Sequence, residues 1–171
     1  MSGLVPRLLG LALTVNTPQL AAAQQAALTA FAENCFSPFL TAETARTKIA
    51  GPGIRLDFYD LEPFSAAAPS PVTGRAATAG TDRRCEVAFD GDSGPIAANT
   101  AVTALAAEGI ETEAALPKTH ADAAIAGTTL LAARRLNPNR VAVVHTGTRR
   151  GPNGAETFLM VERLTPEASR R

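Results

Sequence analysis

Few residues of this chain have a type and spacing that could do chemistry. Gly91-Asp92-Ser93-Gly94-Pro95 sets a hydroxyl beside a carboxylate, and a serine nucleophile would need a histidine base oriented by an acid. Both histidines, His120 and His145, come later, one in a polar loop and one near a strand end. Neither has an acid three residues before it, since Pro117 and Ala142 stand there. The same string makes a good helix start: Ser93 or Asp92 can cap it, and Pro95 suits a first turn. Asp90 and Asp92 could open a calcium loop, but Gly94, Pro95 and Ile96 supply no further oxygen ligand. Asp57 and Asp60 point to opposite faces of one strand, which makes them a poor acid–base pair. With no zinc spacing and no glycine-rich phosphate loop, the sequence points to no metal, no cofactor and no catalytic residue.

Two other groups carry more. Cys35 falls on the apolar stripe of a helix and Cys85 on the apolar face of a strand, and two cysteines is the number that pairs. A disulfide is therefore expected, and closing about fifty residues stabilises a fold by about 4 kcal/mol on the chain-entropy view. Arg134, Arg135, Arg140, Arg149 and Arg150 all lie in or beside two turns. Read blandly, they are a solvated edge that repels other strands. Read sharply, they are a candidate docking surface for an acidic protein partner or an anionic surface.

The elements that must position these residues read as one α+β domain with an antiparallel sheet. Leu130–Leu136, Val141–Thr146 and Glu156–Arg163 favour strand and are separated by Asn137-Pro138-Asn139 and Gly151-Pro152-Asn153-Gly154, which predicts a three-stranded meander. Ahead of it the pattern predicts a helix over Gln24–Cys35, with Leu28, Phe31 and Cys35 on one stripe, and a second from Thr41 to Ala50. Strands follow at Ile54–Asp60 and Arg83–Asp90, then a helix with a buried stripe of Ala98, Val102 and Leu105, closed by Gly109. Ile110–Leu116 is expected to be a short strand and Pro117–Gly127 an irregular connection. Leu61–Thr81 has prolines and glycines but no apolar period, and is expected to be a flexible surface loop (61–81).

Formal charge is zero, which argues against a dedicated nucleic-acid binder. The zero conceals a division: residues 24–127 carry seven basic and thirteen acidic side chains, residues 128–171 eight and three. Arg outnumbers Lys fourteen to two and about a fifth of the chain is alanine, the mark of a GC-rich coding sequence. Met1–Ala23 has the parts of a signal peptide: Arg7, an apolar Leu8–Val15 too short to span a membrane, and Ala21-Ala22-Ala23 as cleavage site. Residues 24–171 would then form the mature domain.

These features, with the Cys35-x-x-Pro38 helix end, the Leu56-Asp57-Phe58-Tyr59 strand and the Arg134-Arg135-Leu136-Asn137-Pro138 turn, resemble small exported proteins of GC-rich alphaproteobacteria. That resemblance brings no activity with it. Gly91–Pro95 also superficially resembles the nucleophile motif of trypsin-like serine proteases and the string of GDSL esterases, but histidine order argues against the first and the missing Asp-x-x-His against the second. The order of elements is comparable to PAS-like and profilin-like arrangements, which would hint at binding. The sequence therefore predicts a periplasmic binding or accessory module acting through protein or small-ligand contacts. The alternatives are a small hydrolase whose site is hidden and an envelope structural protein. If export holds, mass spectrometry of the native protein will find its N-terminus at or near Gln24; material beginning at Met1 or Ser2 would refute it.

Overall fold

The computed structural model describes residues 17–65 and 68–170, so Arg7 and the Leu8–Val15 segment lie outside the described residues. The chain builds helices α1 (Thr17–Asn34) and α2 (Ala42–Lys48), strands β1 (Ile54–Asp60) and β2 (Thr81–Asp90), and helices α3 (Gly94–Ala107) and α4 (Lys118–Asp122). Strands β3 (Thr128–Asn137), β4 (Arg140–Gly151) and β5 (Gly154–Leu164) follow, then a 3-10 turn at Ala168–Arg170. The five strands form one antiparallel sheet in the order β1-β2-β5-β4-β3. The expected α+β class and C-terminal meander are present. Helix α1 begins ahead of the expected start, and Ala21-Ala22-Ala23 is helical. Among the described residues no helix is long and apolar enough to cross a membrane.

One face of the sheet makes the main core. Phe58, Val87, Phe89, Val144 and Leu159 pack there against Leu28 and Phe31 of α1 and Leu105 of α3. The Cys35–Cys85 disulfide fastens the end of α1 to the middle of β2. Helix α2 starts on Thr41 in a capping box closed by Thr44, which satisfies first-turn donors. The buried stripe of α3 is Ala97, Ala101, Ala104 and Leu105; of the expected Ala98, Val102 and Leu105 it keeps Leu105, and Val102 is 49% exposed. Small residues face inward because α3 lies close to the sheet: a Cβ on Gly94 would sit 2.6 Å from Thr129 Oγ1. Ser93 makes no side-chain cap, and Asp92 instead accepts from Thr148 Oγ1 at 2.7 Å. At the other end Ile110 N donates to Leu105 O and Gly109 N to Ala106 O, with Gly109 at φ 69°, the positive value this helix stop requires.

Two expectations fail on the opposite face. Ile110–Leu116 forms no strand, only a single bridge between Glu113 and Arg134. Residues 68–80 are not a free loop but a strap laid over the sheet. Ser70 N donates to Asp60 O and Thr73 N to Phe58 O, while Thr73 Oγ1 accepts from Phe58 N at 3.1 Å. Thr73 thereby occupies part of the open edge of β1. Covered on both faces, β2 is buried from Thr81 to Phe89.

The bridge closes fifty residues of chain, so replacing Cys35 and Cys85 by Ala is expected to cost about 4 kcal/mol in urea unfolding with the fold retained. Alkylation of the denatured, unreduced protein will modify neither cysteine; labelling of both would contradict the bridge.

Candidate functional site

Alternation along β1, β2, β4 and β5 puts a second set of side chains on the face beneath the strap, and that set is charged. Arg55 and Asp57 come from β1, Arg84 and Glu86 from β2, Arg149 from β4, and Glu156 and Glu162 from β5. They join in one chain of alternating sign. Glu162 Oε1 accepts from Arg84 Nε at 2.8 Å, and Arg84 Nη1 reaches Asp57 Oδ2 at 3.3 Å. Arg75 of the strap bonds Asp57 and Glu86, and Glu86 accepts from Arg149 Nη2 at 2.5 Å. Arg149 Nε donates to Glu156 at 2.7 Å, Glu156 accepts from Arg55 at 2.6 Å, and Arg55 ends on Asp90 at 2.7 Å. Among the described residues Asp57 Oδ1 has no hydrogen-bond partner, and Gly74 (φ 85°) lies against this carboxylate; a Cβ there would come within 2.8 Å of its carbon.

Arg84 and Glu162 are the centre of this array, their side chains 3% and 2% exposed. Arg84 also donates to the carbonyls of Arg75 and Ala76 and to Thr78 Oγ1, so the strap is bonded to a buried guanidinium. Glu162 Oε1 accepts from Thr78 Oγ1 at 2.6 Å, and its other oxygen meets His120 Nε2 of α4 at 3.1 Å. Burial opposes ionisation of Glu162, but bonds from His120, Thr78 and Arg84 outweigh it and hold its pKa at about 2. His145 behaves oppositely. Burial, with Arg149 and Arg75 nearby, pushes it down to about 4 against the attraction of Glu162. The Thr128 hydroxyl donates to Ile125 O, so the 2.8 Å contact between Thr128 Oγ1 and His145 Nε2 needs the proton on the imidazole.

Beside this array lies a cleft of about 640 Å³. Val141 and Leu164 form its floor, Ala79 and Gly80 of the strap one wall, and residues 114–119 the other. Arg135, Lys118 and Arg170 contribute its charge, and among the described residues no acidic side chain lines it. Glu162 holds both walls: Thr78 precedes Ala79, and His120 follows Lys118 and Thr119.

The five arginines expected to make one surface do not. Consecutive meander turns lie at opposite ends of the strands, so roughly 30 Å of β4 separates Arg140 from Arg149. Arg149 belongs to the buried array. Arg140 bonds Asp82 at 2.5 Å and Glu62 at 3.3 Å, and Arg134 meets Glu113 at 3.7 Å. Arg135 lines the cleft, and Arg150 is exposed. Asp57 and Asp60 do separate: Asp60 sits with Arg83 and Arg163 at 2.8 and 2.9 Å, away from the array. Ser93 contacts neither histidine; its N–H donates to Thr157. Among the described residues no group of three His, Cys, Asp or Glu could hold a metal ion. His120 lies on α4 and is buried, not in the expected polar loop, and sequence reasoning missed its pairing with Glu162. No family model, no curated protein and no solved structure matches this chain.

Acid should weaken the fold in two stages. The folded pKa of His145 lies below its unfolded value, so its contribution is full above pH 6.5 and falls as pH drops toward 4. Glu162 is also depressed, and its contribution is full above 4.5 and disappears as pH falls through about 2. Urea unfolding should show roughly 2 kcal/mol less stability at pH 5 than at pH 8, and His145→Gln should remove most of that difference. Equal stabilities of the wild type at the two pH values would disprove the first stage. Glu162→Gln takes the nearer carboxylate from Arg84, leaving Asp57 at 3.3 Å, and should cost about 3 kcal/mol at pH 7.

Proposed function

We propose that this protein is an exported binding module that holds a small ligand in the cleft between the strap and α4. The observation behind this reading is that both walls of a preformed cleft are bonded to one buried carboxylate, Glu162. A site held open before the ligand arrives loses little order on binding, which favours affinity. Its volume is in the range of small-molecule sites, with an apolar floor and a few polar groups. Export is supported by the signal-peptide pattern and by a disulfide, which persists in oxidising compartments such as the periplasm. Docking of an acidic protein through the meander arginines has less behind it, since three of the five already meet carboxylates.

The hydrolase alternative has one observation in its favour. Thr119 Oγ1 lies 3.3 Å from His120 Nδ1, and Glu162 holds the other ring nitrogen, an order of hydroxyl, imidazole and acid on the cleft wall. Ester hydrolysis lost in Thr119→Val but retained in Ser93→Ala would support it; no turnover by the wild type would dispose of it.

The binding reading is tested by filling the cleft. Ala115 lines it and is exposed, so Ala115→Trp should leave the melting temperature within a degree or two. Compounds that raise the wild-type melting temperature in a small-molecule screen should lose that effect in the variant. Binders that stabilise both proteins equally would place the site elsewhere.

A further inference from the structure

The arginines of this chain fall into two populations, and the difference points at a ligand. Of the twelve that are described, eight (Arg55, Arg75, Arg83, Arg84, Arg134, Arg140, Arg149 and Arg163) meet a carboxylate within 4 Å. Arg46, Arg135, Arg150 and Arg170 meet none among the described residues, and two of these four line the cleft. Their placement is close. Arg135 is the register partner of Val141 on the floor, and Val141 N donates to Ser169 Oγ, the residue before Arg170. Lys118 also lines the cleft, its side chain 84% exposed and paired with Asp122, a surface pair that exchanges readily.

We propose that the ligand is an amphipathic organic anion. A carboxylate or phosphate head would sit at Arg135, Arg170 and Lys118, and its hydrocarbon part would lie over Leu116, Val141 and Leu164. The inference rests on the cleft being the ligand site. Its basis is complementarity: among the described residues three cations and no acid line a cleft with an apolar floor, in a protein that neutralises most other arginines internally. Guanidinium groups left without a carboxylate can form two parallel bonds to an oxyanion. The apolar floor needs a hydrocarbon, which inorganic phosphate or acetate lacks.

The test is calorimetric titration with decanoate, decyl phosphate, decanol and decyltrimethylammonium, each below its aggregation limit, and with acetate and inorganic phosphate. Saturable binding is expected for decanoate and decyl phosphate, the tighter of the two identifying the head group. Arg135→Gln and Arg170→Gln should each weaken it about tenfold, and added salt should weaken it further. Ala115→Trp should abolish it. Decanol or the ammonium compound binding as tightly as decanoate, and blocked by Ala115→Trp, would overturn the anion while leaving the cleft as a ligand site. Acetate or phosphate matching decanoate would overturn the amphipathic class in the same way. Probe binding that Ala115→Trp does not alter, or no binding by any probe, would overturn this inference; in the first case the cleft itself falls as the site, whereas in the second the compound screen on the same variant decides it separately.

Discussion

A carboxylate 2% exposed stays ionised only if its surroundings replace the water it has lost, and Glu162 sets that requirement for the whole second face of the sheet. Arg84 supplies the opposite charge from the neighbouring strand, at the paired position of the ladder. One guanidinium does not occupy both oxygens, so Thr78 and His120 are drawn in from segments with no regular pairing of their own. Arg84 in turn has donors beyond what Glu162 can accept, and the carbonyls of Arg75 and Ala76 take them. The strap and α4 are therefore ordered by polar satisfaction and not by an apolar stripe.

The two faces thus obey different physics. On the helix side, Phe31, Phe58 and Phe89 exclude water, and the disulfide adds a constraint that acts mainly on the unfolded chain. On the strap side, small apolar clusters flank the ions: Ala88, Phe158 and Met160 in one place, Ala133, Val141, Val143 and Leu164 in another. The second of these includes the floor of the cleft, so the cleft is a part of the strap-side cover that the chain leaves unfilled.

Local patterning carried most of the fold. Period-2 alternation and turn residues located all five strands, because β-branched residues and Pro or Gly breaks act over a few residues. The stripe of Leu28, Phe31 and Cys35 and the face of Cys85, Val87 and Phe89 identified the disulfide from two independent periodicities. What sequence could not supply is register between distant strands. That Arg84 lies opposite Glu162 depends on pairing β2 with β5 across 78 residues, and alternation in each strand is equally consistent with charges facing water. The strap was misread for the same reason: Thr73, Arg75 and Thr78 are ordered by partners that precede or follow them by 11 to 84 residues. The partial signal was Arg55-x-Asp57 and Arg84-x-Glu86, opposite charges two apart on the face away from Phe58 and Cys85.

The division of charge along the chain finds its explanation in that register. An acidic front and a basic back suggested a surface waiting for an acidic partner. The partner is the front of the same chain. Arg140 and Arg163 of the meander meet Asp82, Arg163 also meets Asp60, and Arg149 meets Glu86. The compensation runs both ways, for two of the three acids of the back half, Glu156 and Glu162, meet Arg55 and Arg84 of the front. Because β5 is inserted between β2 and β4, Arg84 stands opposite Glu162 and Arg149 opposite Glu156. Where register sets like charges opposite each other, an ion of the other sign bridges them: Arg75 joins Asp57 and Glu86, Arg55 joins Asp90 and Glu156, and Asp60 joins Arg83 and Arg163. Charge that is matched strand by strand fixes register more firmly than an apolar face would, since a slip of two residues leaves an apolar side chain on the same face but parts an ion from its partner. Cations left over after that matching are the ones free to meet something else, and Arg135 and Arg170 stand at the cleft.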